Sequence, residues 1–198
     1  LLLNHPVYSH VTIFVRKPIA VNHPKLHQVI TDFKNLDLVK DEIKADVIFC
    51  CLGSTRKKTP NLSDYKKVDY DYPLYFAHEG LKNGLNEYHL VSALGANPKS
   101  SNFYVKMKGE LEVALKQLNI NALYIYQPSF LRGNRIENRP LERIALAIMQ
   151  FIDPLLIGSL KKYRSILVSD IAKAMLNESI TNKKGIFVHQ SDQIKELV

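Results

Sequence analysis

With 198 residues, 46% of them hydrophobic and 23% charged, the chain has the size and composition of one globular domain that buries a core without disulfides or metal. No apolar run approaches the ~20 residues that span a bilayer and the opening LLLNHP is too short for a secretory signal, so no membrane insertion and a cytoplasmic location are expected. The formal charge of +8 is spread as pairs (Arg16-Lys17, Lys57-Lys58, Lys66-Lys67, Lys161-Lys162, Lys183-Lys184) with no dense block, which argues against nucleic acid and suits a solvated basic surface or an anionic small ligand.

Taken in order, the first ten residues read as the end of a helix running into a strand, VTIFV at 11–15. HQVIT at 27–31 reads as a second strand and 35–44 as a helix. DVIFCCL at 46–52 is a third strand, ending on adjacent Cys50 and Cys51, whose spacing suits neither a structural disulfide nor a zinc site and which read as small buried residues. A helix follows over 64–83, closed by Gly84, and Pro73 should kink or interrupt it. EYHLVS at 87–92 is a fourth strand, and the flexible-looking ALGANPKSS leads into a helix over 101–118 that Ser101 can N-cap. In that helix Phe103, Met107, Leu111, Ala114 and Leu118 recur at helical spacing and build one face toward a core. ALYIYQ at 122–127 is a fifth strand. Beyond it the pattern is less regular: a helix around 140–152, a short SILV leading to Ser169 as a cap, the helix DIAKAMLNE and a last strand GIFVH.

The strands are apolar almost throughout, as parallel strands covered on both faces are. Their alternation with helices predicts a single α/β domain over 1–198, a Rossmann-like doubly wound parallel sheet with helices on both faces and a small C-terminal appendage completing a pocket. A dinucleotide-binding sheet opens with a strand, a Gly-rich turn and a helix whose N-terminus holds the pyrophosphate. No G-x-x-G-x-x-G occurs in the chain, so that first strand and its loop are expected to lie outside the given sequence. A sheet without its central strand would expose two apolar edges.

SNFYVKMKGELE, 101–112, places Tyr104 and Lys108 one helical turn apart on the flank of the apolar face. A chain with ten tyrosines contains about one Tyr-x-x-x-Lys by composition, so the pair carries no weight alone, and a tyrosine covering the core edge beside a solvated lysine is the plain alternative. Its context is Ser92, at the carboxyl end of a strand, where ligands bind in open parallel sheets. A hydroxyl, a phenol and an ammonium supply the parts for proton transfer to a carbonyl: Ser92 orients the oxygen, Tyr104 donates the proton, and the charge of Lys108 pulls the phenol below its usual pKa of about 10. A nicotinamide would supply the hydride. Ala93 follows Ser92, which leaves one hydroxyl at this strand end. Seven histidines offer no ligand spacing, so no metal site is expected. NRIENRPLER, 134–143, carries three arginines that either clamp an anionic substrate or stay solvated.

Ser92, Tyr104 and Lys108, together with FCCLGSTR (49–56), VDYDY (68–72), VSALGANPKSSNFYVKMKGELE, YQPSFLRGNR (126–135) and RSILVSDIAKAM, resemble the short-chain dehydrogenase/reductase superfamily, and within it the atypical NAD(P)-binding branch that contains the Tat-interacting oxidoreductase and its bacterial relatives. The likeness runs from Val11 to about Met175. It implies that Arg16 and Lys17 face the adenosine 2'-phosphate of NADP, making NADPH the cofactor in preference to NAD, which agrees with the fit of a guanidinium to phosphate. By the same resemblance Asp32 and Phe33 stand on the adenine side, and Leu52, Gly53, Ser54 and Thr55 form the loop against the cofactor. Pro128 to Leu131 lie beside the carboxamide, and Tyr104 and Lys108 also hold the nicotinamide ribose. The implied function is an NADP-dependent oxidoreductase acting on a small-molecule carbonyl or alcohol, as a monomer or homodimer. The alternative is a non-catalytic NAD(P)H-binding module that acts through a protein partner.

Overall fold

Runs of β-branched and aromatic residues form the strands, and every pairing between them is parallel. The computed structural model describes residues 1–133 and 152–198; the arginines of 134–143 and the body of the helix expected around 140–152 fall outside these. Strands β1 (Val11–Val15) and β2 (Leu26–Ile30) pair from Val11 opposite Leu26 to Val15 opposite Ile30. Strands β3 (Val47–Cys50), β4 (Glu87–Val91) and β5 (Ala122–Gln127) form a sheet in that order. Its far edge is β8 (Gly185–Gln190), after the two-residue pair β6 (Leu131–Arg132) and β7 (Ile166–Leu167).

Alternation of side chains divides the larger sheet into two covered faces. Leu123 and Ile125 of β5 join Leu90, Ala77, Leu111 and Leu115 on one face, whereas Ala122, Tyr124 and Tyr126 join Ile171, Ala174, Met175 and Ile194 on the other. This is the doubly wound arrangement expected. Cys50 belongs to the first of these clusters, but Cys51 is exposed: one residue past the end of β3, it points the opposite way.

The chain order of strands across the molecule is β2-β1, then β3-β4-β5-β8. Between the two groups lies a cavity of about 1090 Å³ lined by both β1 and β3.

The helices depart from expectation where local chemistry decides. Residues 35–44 contain a 3-10 helix, Leu36–Glu42, with no side-chain cap at its start. The helix expected over 64–83 is α1 (Leu62–Lys66), a π-helical turn (Lys67–Asp71) and α2 (Tyr72–Lys82) in succession. The π-turn widens the ladder just ahead of Pro73, whose ring and missing N–H would break an α-helical one. Helix α3 (Phe103–Lys116) is capped by Asn102, not Ser101; the Asn102 side chain accepts from the backbone N–H groups of Tyr104 and Val105 at 3.0 and 3.2 Å. Ser169 is likewise no cap, because α4 (Val168–Glu178) begins before it. Helix α5 (Ser191–Glu196) follows β8 directly through a capping box between Gln190 and Gln193.

Candidate functional site

Helix α3 aligns Tyr104, Lys108 and Glu112 along one stripe at successive turns, and the last two are withdrawn from water. Buried charges of this kind need partners. Lys108 Nζ lies 3.0 Å from Asp69 Oδ1, and Asp69, on the π-helical turn, is buried with it. The other Asp69 oxygen accepts from the backbone N–H of Ser54 at 2.7 Å. One carboxylate thus ties the loop after β3 to α3.

Glu112 does the same on the other flank. Its Oε1 accepts from Ser92 Oγ at 2.5 Å, and Gln127 Nε2 donates to both of its oxygens at 2.9 and 3.0 Å. Ser92 stands at the carboxyl end of β4, as expected, and its N–H extends the ladder to Tyr126 O. Its hydroxyl proton, however, faces the helix.

Tyr104 is half-buried, with its ring stacked over Tyr65 at 6.4 Å and 7°. With Ser92, Ala93, Pro128, Leu131 and Tyr163 it lines an open cavity of about 490 Å³ at the carboxyl ends of β4 and β5. Burial raises its phenol above the usual value, Lys108 opposes this and Asp69 reinforces it. The expected depression of the Tyr104 pKa is therefore corrected: desolvation outweighs the ammonium, part of whose field Asp69 cancels.

The loop expected to be flexible after Ser92 is pinned. Leu94 N–H donates to Pro128 O at 2.9 Å and Asn97 N–H to Val105 O at 3.0 Å. A Cβ at Gly109 would lie 2.4 Å from the backbone of Asn97 and Pro98, so only glycine lets α3 meet this loop.

Of the residues the resemblance singled out, Ser92, Tyr104, Pro128 and Leu131 gather around one cavity, with Lys108 beneath it. Ser54 joins them through Asp69, and its hydroxyl is 2.5 Å from that of Thr59, across a turn in which Thr55 O accepts from Lys58 N–H. Gly53 lies beside the same carboxylate. Arg16 and Lys17 are exposed immediately after β1, and Asp32 is exposed with its Oδ1 accepting from Lys34 N–H at 2.9 Å. Phe33 is in the left-handed region (φ 64°) and packs its ring against Tyr72 and Phe76, inside the fold, and Leu52 packs against the same core. Asp69, Glu112 and Gln127 were not singled out. The spacing of four through Tyr104, Lys108 and Glu112, beside the apolar stripe, was the available signal for one of them.

No family model matches the chain. It is 30% identical over 188 residues to Protein HTATIP2 of Rattus norvegicus, a match covering 93% of this chain and 76% of that protein. It is 26% identical over 198 residues to Protein FMP52, mitochondrial, of Coccidioides immitis, covering 93% and 80%. A third match, 33% over 139 residues, is to Protein FMP52, mitochondrial, of Saccharomyces cerevisiae, covering 68% and 59%. Similar solved structures are MoeE5 in complex with UDP-glucuronic acid and NAD (TM-score 0.67, 14% identity, 93% of this chain and 69% of that one) and a DesIV double mutant of Streptomyces venezuelae with NAD bound (0.65, 13%, 93% and 66%). At these identities the structures establish the Rossmann fold. The expectation of a cytoplasmic protein is overturned by relatives named mitochondrial. Among the described residues no helix is long and apolar enough to cross a membrane.

Proposed function

The chain belongs to the family of Protein HTATIP2 and FMP52, an atypical branch of the short-chain dehydrogenases/reductases, and from that premise we propose that it is an NADP(H)-dependent oxidoreductase interconverting a carbonyl and an alcohol. The observation that carries this is Tyr104 at the wall of the 490 Å³ cavity with Lys108 buried one turn below it, at the carboxyl ends of β4 and β5. Bound nicotinamide would supply or accept the hydride. Tyr104 gives its proton to the carbonyl oxygen, or takes one from the alcohol, and Lys108 stabilises the phenolate left behind. Pro128 and Leu131 wall the side on which the carboxamide would lie. Arg16 and Lys17, free in solvent at the end of β1, suit the 2'-phosphate that distinguishes NADP from NAD. A single domain completed by one further strand in the cavity between β1 and β3 is part of this reading, since that strand's turn is where a doubly wound sheet holds pyrophosphate.

The test is a fluorescence titration with NADPH and NADH, repeated on Arg16→Ala and Lys17→Ala. NADPH should bind more tightly than NADH, and each substitution should weaken NADPH about tenfold, the worth of one charged hydrogen bond, with little effect on NADH. Equal affinities in all variants would remove the NADP assignment, and no binding of either nucleotide would remove the reading. One observation favours a second reading, a nucleotide-binding module that acts through a protein partner: the Ser92 proton is directed at Glu112 and away from the cavity.

A further inference from the structure

We infer that Ser92 is a structural serine, that Glu112 is the positioning residue that makes it so, and that Ala93 is the position limiting turnover in this chain. The inference rests on the reading of Tyr104 as the proton donor. A serine hydroxyl has one proton to give. That of Ser92 goes to Glu112 Oε1 at 2.5 Å, inside a site where both residues are about 5% exposed or less, and a carboxylate holds such a donor more firmly than a neutral carbonyl does. Gln127, donating to both Glu112 oxygens, and Lys116, 3.8 Å away, fix the carboxylate in place. What Ser92 turns to the cavity is therefore an oxygen with lone pairs, and a substrate carbonyl oxygen has no proton to offer it.

The other serine on this cavity is spent as well. Ser129 Oγ donates to the carbonyl of Arg164 and accepts from Ser191 Oγ. Ala93, next to Ser92 in the chain and on the same cavity wall as Tyr104, brings no polar group. A carbonyl here meets the phenol of Tyr104 without a serine donor beside it. In the reduction, bound NADPH would supply the hydride to the carbonyl carbon and leave as NADP⁺, while Tyr104 gives its proton to the oxygen, completing the alcohol, and solvent reprotonates the phenolate. A second donor on the developing oxyanion is worth on the order of a hundredfold or more in rate. This chain binds its nucleotide and turns over slowly, and a hydroxyl at position 93 supplies the serine donor that the wall beside Tyr104 lacks.

The experiment follows NADPH oxidation with para-nitrobenzaldehyde as the probe carbonyl, beside NADPH affinity. Ala93→Ser should raise the turnover number at least tenfold with NADPH affinity within about twofold, and adding Tyr104→Phe should abolish the gain. A rate within twofold of the parent, with NADPH bound, overturns the inference. A thermal double-mutant cycle on Ser92→Ala and Glu112→Gln needs no nucleotide. Losses in melting temperature that fail to add support a committed Ser92 proton, and additive losses overturn it. If NADPH does not bind, the cofactor reading fails and the Ala93 part of the inference is overturned with it, while the cycle still decides whether the Ser92 proton is committed to Glu112.

Discussion

Lys108 and Asp69 form an ion pair of 3.0 Å with 3% and 1% of their side chains exposed. Desolvating two charges is costly, and the geometry offsets this only because Asp69 also accepts the Ser54 N–H. Asp69→Asn keeps an acceptor for that N–H and leaves the ammonium buried without its counter-charge. We expect a loss of about 3–5 kcal/mol in urea unfolding, and partial recovery when Lys108→Met is added. A loss below about 1 kcal/mol would show that water or another group already shares the Lys108 charge.

The same substitution should act on Tyr104. Asp69 is among the groups that raise its phenol and Lys108 the one that lowers it, so Asp69→Asn should bring the Tyr104 pKa down. Ultraviolet titration, taken as the difference from the corresponding Tyr104→Phe protein, reads this directly. The folded protein holds the Tyr104 proton more tightly than the unfolded chain, whose value is near 10.0. The contribution to stability is therefore complete below pH 10 and lost as pH rises through the folded pKa. Tyr88, Tyr124 and Tyr126 are raised by burial too, so unfolding should steepen above pH 10. A protein equally stable on both sides of that pH would contradict this.

The strands were legible because their β-branched and aromatic runs are long and bounded: β1 and β5 fall on the expected residues, and β2 and β8 differ by one position. The site was legible in its parts and not in its wiring. Lys108 read as lying on the flank of the apolar face, with a solvated lysine as the plain alternative, and Glu112 had no reading; both are buried because Asp69 and the Ser92 and Gln127 side chains, 39 and 15 to 20 residues away in sequence, meet them across the fold. Nothing local in the sequence announces such long-range partners. VDYDY was visible as a motif, but which of its two aspartates turns inward is set on the π-turn Lys67–Asp71, just ahead of Pro73, which the sequence does not announce. Phe33 stood on the adenine side by resemblance alone, and nothing local in the sequence announces the left-handed backbone that packs its ring into the core.

Gly109 offers a test of how firmly the loop after β4 is set against α3. With a Cβ placed 2.4 Å from the backbone of Asn97 and Pro98, Gly109→Ala cannot be absorbed by a rotamer change. The loop must move, taking with it the Asn97 N–H bond to Val105 O and the wall that Ala93 and Leu94 give the cavity. We expect a cost of about 1–3 kcal/mol, typical of overpacking, despite the higher helix propensity of alanine. A stabilised Gly109→Ala protein in thermal unfolding would mean that the loop moves freely.

On the acid side the response should come from His89. Its ring is fully buried between Phe49 and Tyr124, at 4.8 and 4.4 Å, with Nδ1 3.1 Å from the Tyr126 hydroxyl and Nε2 3.4 Å from Glu87 Oε2. Burial lowers its pKa below 6.5, against the opposing pull of Glu87 and Glu178. His189 is lowered for the same leading reason. For a depressed group the unfolded chain binds the proton first, so the stability is present above pH 6.5 and lost as pH falls through the folded value. The urea midpoint should accordingly drop between about pH 7.5 and 5.5, within the range where histidine titrates. His89→Gln, which cannot titrate, should be less stable at the higher pH and show a smaller drop. Greater stability of the parent protein at the lower pH would mean that an imidazolium paired with Glu87 outweighs the cost of burying it.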